Sequence, residues 1–359
     1  MTKWHDRRVT QNPAILIVRL SAIGDIVMAS PLIHALRQRY PGSHIAWLVQ
    51  PESAALLQDH PALDEVIVWP RARWQELWRQ KRLSALFSEI RALRAALRQR
   101  GFALAIDLQG LIKSGILTWL SGAPRRIGLG SREGSQWLMS EVVPRGGEAA
   151  LIGSEYRFLA ERLQLPVQDF RMRVGVGAAA GARVTQLRRT VLHGAPYAVI
   201  CPFTTRPQKH WFAAHWRALV PRLSAELGLQ VLMLGGPGDV KAARELAAGV
   251  DVVNLVGETD LQTAAGLIRD CELLVGVDTG LTHMGIAFDR PTVCLFGSTR
   301  PYLRSDSDRT RVIYHALECS PCRRNPTCNG AYTCLREITP DEVMGEAHAL
   351  LAERPEARR

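Results

Sequence analysis

The sequence predicts an α/β protein with two doubly wound parallel sheets in series, and three observations support this fold class. A chain of 359 residues exceeds one ordinary domain. Short apolar runs alternate along it with segments of helical periodicity. These runs are nearly continuous rather than alternating with polar residues, which is typical of parallel strands that helices cover on both faces.

Four strands are predicted in the first half of the chain. They are AILIVRL (14–20), HIAWLV (44–49), EVIVW (65–69) and FALAIDL (102–108). Leucines at helical spacing between the last two indicate an amphipathic helix. The pair Ser30-Pro31 fits either a helix that begins at Pro31 with Ser30 as its cap, or a kink in a helix that begins nearer Asp25.

A second series of elements begins near Tyr197. Its predicted strands are YAVIC (197–201), LQVLML (229–234), VVNLV (252–256), ELLVGV (272–277) and TVCLF (292–296). Residues 174–196, rich in Gly, Ala and Arg, are predicted to be a linker. We therefore expect domains at residues 1–180 and 181–359, with the ligand site in an interdomain cleft, because such clefts favour binding.

The composition is typical of a globular protein with sizeable cores, since apolar residues make up 47% of the chain and charged residues 22%. The sequence contains no apolar run of the length that predicts a transmembrane helix. The first thirteen residues are polar and do not have the pattern of a signal peptide. We therefore expect a cytoplasmic protein.

The formal net charge is +11, which indicates anionic partners such as phosphorylated sugars, a membrane surface or nucleic acid. Residues 71–100 contain nine Lys or Arg and two Glu, and residues 170–225 contain nine Lys or Arg and no acid. Solvated helix faces mix both signs, so the acid-free stretch predicts an anionic ligand nearby. No recognised nucleic-acid motif accompanies the charge, which disfavours a nucleic-acid partner.

The stretch SAIGD (21–25) places one carboxylate, that of Asp25, just after a buried strand. An acid in this position can mark the first turn of a helix. It can also act as an acid or base at the carboxyl end of a strand, where open α/β sheets bind ligands. The stretch alone does not separate these two interpretations.

Two glycine clusters are candidates for nucleotide binding. GVGAAA (175–180) matches a dinucleotide fingerprint, but no acid follows within the next twenty residues to bind a ribose, so a linker is favoured and nicotinamide chemistry is not. LGGPGD (234–239) follows a strand and precedes a helix, so its amides can meet a phosphate. Asp239 then either binds ribose hydroxyls or caps the helix.

CPFTTRPQKHW (201–211) follows the first strand of the second series. Hydroxyls and cations at the carboxyl end of a strand suit a diphosphate. The candidate side chains are those of Thr204, Thr205, Arg206 and Lys209. The alternative is an exposed polar loop.

GVDTGLTHMGIA (276–287) combines a buried strand, an acid, a tight turn and a helix. The amides of Thr279, Gly280 and Leu281 are predicted to form a helix N-terminus that can bind an anion. Asp278 can hold this loop or a sugar hydroxyl. His283 alone fits a core histidine, but the combination predicts a functional loop.

These motifs, SAIGD, TTRPQKHW, VDTGLTH and RPTVCLFGSTRP, occur in an order that resembles glycosyltransferase family 9, whose best-known members are the ADP-heptose:lipopolysaccharide heptosyltransferases. The resemblance extends from about residue 15 to residue 343. IDLQGLIKSG (106–115) and the basic segment before it are similar to heptosyltransferase I. The later cysteine-rich segment is more similar to heptosyltransferase II or other members, so the acceptor stays open.

The resemblance implies a GT-B fold of two Rossmann-like domains and an inverting, metal-independent transfer from ADP-L-glycero-β-D-manno-heptose to the Kdo or heptose of the lipopolysaccharide inner core. It implies Asp25 as general base and Lys209 with the amides of residues 279–281 as stabilisers of the leaving diphosphate. It also implies phosphate contacts from Thr204 and Thr205, and sugar contacts from Asp278 supported by His283. Alternatives are another acceptor, either protein or glycan, and a non-catalytic nucleotide-binding protein.

The acceptor of such a reaction is anionic, and we assign it to the basic segment of the first half. The candidate residues are Gly24, Arg71, Arg73, Lys81, Lys113 and Arg132. Cations beside the indoles of Trp74 and Trp78 fit an anionic amphiphile at the cytoplasmic face of the inner membrane. The alternative is a solvated helix face.

Four of the seven cysteines lie within sixteen residues, at Cys319, Cys322, Cys328 and Cys334. Such clustering in a cytosolic chain suggests metal binding more than disulfides, although the spacing is not that of a standard zinc finger. Structural zinc or iron and free or paired thiols are both open. We expect no cofactor in catalysis.

Overall fold

The computed structural model describes residues 12–299, 302–322 and 325–353. The polar N-terminal residues up to 11 and the Arg-Pro pair that ends GSTRP lie outside this range. The chain divides into two compact units. The first unit takes the chain up to Glu148 together with Gly153–Arg171, and the second takes Ala149–Ile152 and the chain from Met172 onward.

The first unit is built on a six-stranded parallel sheet in the order β3-β2-β1-β4-β5-β6. Its strands are β1 (Ile15–Val18), β2 (Ile45–Val49), β3 (Glu65–Val68), β4 (Leu104–Asp107), β5 (Arg125–Leu129) and β6 (Glu141–Val143). Its helices are α1 (Ile23–Ala29), α2 (Pro31–Arg39), α3 (Pro51–Gln58), α4 (Arg71–Arg79), α5 (Leu83–Gln99), α6 (Ile112–Leu120) and α7 (Ser154–Arg162).

The second unit repeats this plan with a parallel sheet in the order β12-β11-β10-β7-β8-β9. Its strands are β7 (Tyr197–Cys201), β8 (Gln230–Met233), β9 (Val253–Asn254), β10 (Leu273–Val277), β11 (Thr292–Phe296) and β12 (Thr310–Tyr314). Its helices are α8 (Ala178–Thr190), α9 (Ala213–Leu227), α10 (Val240–Ala247), α11 (Leu261–Arg269), α12 (Gly280–Ala287), α13 (Thr333–Arg336) and α14 (Pro340–Ala352).

The central strands are buried along their whole length, because helices cover both faces of each sheet. Every residue of β1, β2, β4, β7, β10 and β11 is buried. This explains the continuous apolar runs of the sequence. The predicted fold class, two doubly wound parallel sheets, is confirmed.

Both sheets have a point at which the strand order reverses, between β1 and β4 in the first unit and between β7 and β10 in the second. Ile15 of β1 pairs with Ile45 of β2 on one side and with Leu104 of β4 on the other. Doubly wound sheets bind ligands outside the carboxyl ends of the strands at such switch points. We therefore expect the functional residues of each unit in the segments that follow these four strands.

Three strands were missed by sequence reasoning, and each lies at or next to a sheet edge. β5 begins with two half-buried arginines, β6 has only three residues, and β12 is largely half-exposed. Edge strands need fewer apolar residues and often contain charge. Their sequences therefore lack the continuous apolar signal of the central strands.

Residues 174–196, predicted to be a linker, contain helix α8 at Ala178–Thr190. This helix buries Val184 and Leu187 and packs against α11 of the second unit. Its alanines and arginines are good helix formers, which the glycine content of the segment obscured. The predicted boundary at 180/181 falls inside this helix, whereas the units divide at 171/172.

At Ser30 the chain adopts the second of the two predicted arrangements, a helix that begins near Asp25 and bends before Pro31. Helices α1 and α2 meet at Ser30, which has helical backbone angles. Its hydroxyl donates to the carbonyl of Val27 at 2.7 Å rather than capping α2. No helix within the described part of the chain is both long and apolar enough to cross a bilayer.

Candidate active site

Asp25 lies in the first turn of α1, directly after β1, and its side chain is about one-third exposed. Its Oδ2 accepts a hydrogen bond from the backbone N–H of Ala22 at 3.3 Å and forms an ion pair with the guanidinium of Arg19. Asp25 is thus both a helix-start residue and a carboxylate that these two contacts orient.

Arg19 is the partner that sequence reasoning missed. It is buried, and its Nη1 donates to the carbonyl of Leu108 at 3.0 Å, so it joins the ends of β1 and β4. Its own carbonyl accepts from the indole of Trp47 at 3.1 Å. Burial opposes the charged form, but the surrounding groups, Asp25 among them, raise the pKa of Arg19. A lone arginine in the apolar run ILIVRL was the available signal.

The loop after β4 is fixed by a buried carboxylate. Asp107 accepts from the N–H groups of Gln109 and Gly110 at 2.9 and 3.1 Å and from the hydroxyl of Ser114 at 3.0 Å. Burial raises the pKa of this carboxyl. Gly110 has φ +68, and a Cβ there would lie 2.6 Å from the carbonyl oxygen of Leu129, so only glycine fits. IDLQG is therefore a structural support for the site around Asp25.

Cations gather near Asp25 in the first unit. Partial burial and the charges of Arg71 and Arg19 lower the pKa of the Lys113 ammonium at the start of α6, and the charge of Glu133 opposes them in part. Such mutual destabilisation of like charges marks a place where an anion would be favourable. Gly24 precedes Asp25 in the same turn, so it shares this location.

The remaining predicted acceptor residues are placed differently. Arg73 pairs with Glu89 of α5 through Nε at 3.1 Å, and Lys81 lies on the exposed turn between α4 and α5 with φ +56. Arg132 is exposed, and its N–H donates to the carbonyl of Gly110 at 2.9 Å.

In the second unit, an ion pair spans the switch point between β7 and β10. The Nζ of Lys209 lies 2.6 Å from Oδ2 of Asp278, and the two side chains are only 17% and 16% exposed. The hydroxyl of Thr299 donates to the same carboxylate oxygen at 2.7 Å. Thr204 donates to the backbone carbonyl of Asp278 at 3.3 Å. The motifs TTRPQK and VDTG therefore meet at one site.

The electrostatics of this site favour an ionised carboxylate. Burial alone would raise the pKa of the Asp278 carboxyl, but His283, Lys209 and the hydrogen bonds from Lys209 and Thr299 lower it below its usual range. Thr299 was quoted within GSTRP but was given no role from sequence. A threonine three residues after a buried strand was the signal available for it.

Helix α12 begins at Gly280 and presents its first amides next to Asp278. Thr279 is the N-cap residue of α12, and its side chain makes no capping hydrogen bond to the first turn. The backbone N–H groups of Gly280 and Leu281 are therefore available to an anion. His283 is buried, and its Nδ1 donates to the carbonyl of Thr279 at 2.6 Å. His283 therefore supports the loop rather than facing solvent.

The other predicted residues of the second unit lie around this pair with less constraint. Thr205 is exposed and Arg206 is half-exposed. Oδ2 of Asp239 accepts from the N–H of Gly236 at 2.9 Å, which is the capping contact, and ribose binding by Asp239 stays a prediction. His210 donates to the carbonyl of Thr204 at 2.8 Å and fixes the loop before Trp211.

The four clustered cysteines differ in exposure. Cys334 is buried, whereas Cys319, Cys322 and Cys328 are half-exposed, and all four are free thiols. Within residues 12–299, 302–322 and 325–353, no three His, Cys, Asp or Glu side chains are grouped closely enough to hold a metal ion. A structural zinc or iron at this segment stays a prediction.

Two doubly wound units, each with polar residues at its switch point, define a glycosyltransferase of GT-B architecture, and comparisons with known proteins agree. The model of glycosyltransferase family 9 (heptosyltransferase) matches residues 90–333. The chain belongs to this family. The resemblance drawn from SAIGD, TTRPQKHW and VDTGLTH is thereby confirmed, as is the prediction of a transferase enzyme.

Individual relatives cover most of the chain. Lipopolysaccharide heptosyltransferase 1 of Salmonella typhimurium LT2 is 30% identical over 316 residues, which is 86% of this chain and 94% of that protein. The structure of E. coli ADP-heptose LPS heptosyltransferase II superimposes with a TM-score of 0.73 at 26% identity, covering 94% of this chain and 98% of that one. An E. coli heptosyltransferase solved with ADP gives 0.72, also at 26% identity, with coverages of 94% and 99%.

Proposed function

We propose that this protein transfers a heptose from ADP-L-glycero-D-manno-heptose to the Kdo or heptose of the lipopolysaccharide inner core, with inversion at the anomeric carbon. The observation that supports it most is the largely buried Lys209–Asp278 ion pair beside the N-terminus of α12. The relatives named above act on ADP-heptose or lipopolysaccharide according to their names.

The donor diphosphate is assigned to the second unit. Lys209 and the amides of Gly280 and Leu281 stabilise the charge that develops on the departing ADP. Thr204, Thr205 and Arg206 add hydrogen bonds to the phosphates. Asp278 accepts from hydroxyls of the donor sugar, with His283 and Thr299 holding its loop, and Asp239 accepts from the ribose.

Asp25 is proposed as the general base. Its carboxylate accepts the proton of the acceptor hydroxyl while that hydroxyl oxygen bonds to the anomeric carbon and the bond to the ADP oxygen breaks. Attack on the face opposite the leaving group inverts the configuration. Arg19 fixes the orientation of the Asp25 carboxylate, so the base is positioned before the acceptor binds.

The acceptor is assigned to the basic side of the first unit. Lys113 lies near both Arg71 and Arg19, the partner of Asp25, and we assign Lys113 and Arg71 to the carboxylates of Kdo. We assign Arg73, Lys81 and Arg132 to more distant anionic groups such as the phosphates of lipid A, and Gly24 to the space beside the base. We place the protein on the cytoplasmic face of the inner membrane as a peripheral protein.

The test measures ADP release from ADP-heptose, first with Kdo2-lipid A and then with heptosyl-Kdo2-lipid A. Release with one acceptor that is lost in Asp25→Asn supports the proposal and identifies the step. Asp25→Asn keeps the shape of the side chain, so loss of the base is separated from loss of packing. No release with either acceptor, while ADP still raises the melting temperature, points instead to another acceptor, protein or glycan, or to a non-catalytic nucleotide-binding protein.

We propose that the transfer requires no metal, because Lys209 and the helix amides supply the positive charge. Turnover should persist in EDTA, and loss of turnover that Mg²⁺ restores would contradict this. Metal analysis of the purified protein, compared with Cys322→Ser, tests the separate prediction of structural zinc or iron. Equimolar metal that disappears in the variant would support it.

A further inference from the structure

Three large apolar side chains project from the tip of the hairpin formed by α4 and α5. Trp78, in the last turn of α4, is 68% exposed; Leu83 and Phe87, in the first turns of α5, are 50% and 68% exposed. Leu83 and Phe87 are four residues apart and therefore share one face of the helix. We name Trp78, Leu83 and Phe87 the apolar tip.

The hairpin does not need the apolar tip in order to fold. Leu77, Leu86 and Leu97 are buried and supply its contacts with the rest of the unit. Trp74 also packs inward, with its ring centroid 5.9 Å from that of Trp69. These large apolar side chains stay exposed to water although the core of the hairpin is complete without them. Such exposure indicates a surface that is covered by another apolar phase.

The charge around the apolar tip is positive. Arg79, Lys81 and Arg82 are exposed on the last turn of α4 and the connecting turn, and Arg91 and Arg94 are exposed farther along α5. The two acids of the hairpin are already matched, Glu76 with Arg79 and Glu89 with Arg73. The tip therefore combines apolar side chains with two cations, Lys81 and Arg82, that have no acidic counterpart within the hairpin.

We propose that the apolar tip inserts into the headgroup region of an anionic phospholipid bilayer. Tryptophan favours the membrane interface, Leu and Phe favour the acyl boundary, and Lys81 and Arg82 are attracted by anionic headgroups. A second copy of this chain is a poor occupant, because it would bring two cationic hairpins together. Nucleic acid would satisfy the charge but would leave Leu83 unburied.

The proposal names the surface that attaches the protein to the membrane, and it rests on the peripheral location proposed above. Arg71 lies seven residues before Trp78 on α4, about 10 Å along the helix axis. Insertion of the tip would therefore hold the start of α4 just above the bilayer surface. The sugar part of a membrane-bound acceptor lies in that layer.

The test is sedimentation of the full chain with vesicles of phosphatidylglycerol and phosphatidylcholine, compared with vesicles of phosphatidylcholine alone. We expect binding to the anionic vesicles that weakens with salt. The double variant Leu83→Ser/Phe87→Ser should bind about tenfold or more weakly, because insertion energy scales with buried apolar area. Trp137→Ser is the matched control, since Trp137 is 84% exposed in the same unit but lies outside the hairpin. Its binding should be unchanged.

Equal binding of the double variant and the wild type, or equal loss in Trp137→Ser, would overturn the proposal. The melting temperature and the ADP-induced shift of the double variant should match the wild type, which excludes misfolding. Turnover with an acyl-free Kdo acceptor should also be unchanged; a loss there would assign Leu83 and Phe87 to the acceptor rather than to the bilayer. If the wild type shows no turnover but binds vesicles through the tip, the proposed function fails and the docking surface stands.

Discussion

The ammonium group of Lys209 lies 2.6 Å from the carboxylate of Asp278, and together they connect the ends of β7 and β10. The sequence analysis assigned them separate roles, Lys209 at the diphosphate and Asp278 at the donor sugar. The structure shows that they form one ion pair, in which each charge stabilises the other. A ligand that binds there meets a preorganised cation and a preorganised anion together.

Lys209→Ala is expected to weaken donor binding and to lower kcat/KM by about 10²–10³, the cost typical of losing one preorganised charge stabiliser. The same change leaves Asp278 without its cation, so the melting temperature should also fall. Lys209→Arg, which keeps the charge, should recover part of both losses. Kinetics and calorimetry with ADP measure the first effect, and unchanged kinetics in Lys209→Ala would remove Lys209 from the diphosphate site.

Asp278 should make the stability of the protein depend on pH in the acid range. Its folded-state pKa is lowered, so it stabilises the fold above the ordinary carboxyl pKa of about 3.9, and that contribution is lost as pH falls through the lowered pKa. Urea unfolding of the wild type and of Asp278→Asn should therefore differ most near neutral pH and converge in acid. A difference that is independent of pH would contradict this.

Asp25→Ala is expected to abolish transfer, lowering kcat by about 10²–10⁴ as for other general bases, while ADP binding stays nearly intact. The reason is that Asp25 belongs to the first unit, whereas the proposed diphosphate contacts belong to the second. Calorimetric titration with ADP and single-turnover kinetics separate the two properties. A variant that loses ADP affinity but keeps turnover would refute the assignment.

Arg19 is a positioning residue, and its replacement should lower kcat without changing donor binding. In Arg19→Met the cation that holds the Asp25 carboxylate is lost, so kcat should fall while the affinity for ADP and the KM for ADP-heptose stay close to the wild-type values. Arg19→Lys should recover part of the loss in kcat. Steady-state kinetics and calorimetry with ADP measure these effects, and an equal loss of kcat and of ADP affinity would indicate a purely structural role.

Lys113 should limit acceptor binding at alkaline pH. Its pKa is lowered, so it loses its charge below the ordinary lysine value of about 10.4. The KM for an anionic acceptor should rise as pH approaches that value, whereas Lys113→Arg should keep a low KM to higher pH because guanidinium stays charged. The KM for ADP-heptose serves as the internal control. Identical acceptor profiles in the two proteins would exclude Lys113 from the acceptor site.

The sequence predicted the central strands and the three motifs because burial on both faces and turn chemistry leave local signals. It did not predict β5, β6 or β12, whose edge positions allow polar residues, nor helix α8, whose glycines suggested a linker. Arg19 and Thr299 were missed for a different reason. Each acts through a carboxylate that is close in space, and neither residue type is diagnostic by itself.

The division of the chain at residues 148, 152 and 171 limits how this protein can be dissected. The short segment Ala149–Ile152 belongs to the second unit, and the chain returns to the first unit directly after it. Within the second unit, the N–H of Ile152 donates to the carbonyl of Arg304 at 3.0 Å. A fragment cut at 180 would remove this segment from its partner and would split α8. A single proteolytic nick between residues 171 and 172 would leave Ala149–Ile152 covalently attached to the first unit but still bound to the second through contacts such as the Ile152–Arg304 hydrogen bond, so two covalently separate fragments could stay associated.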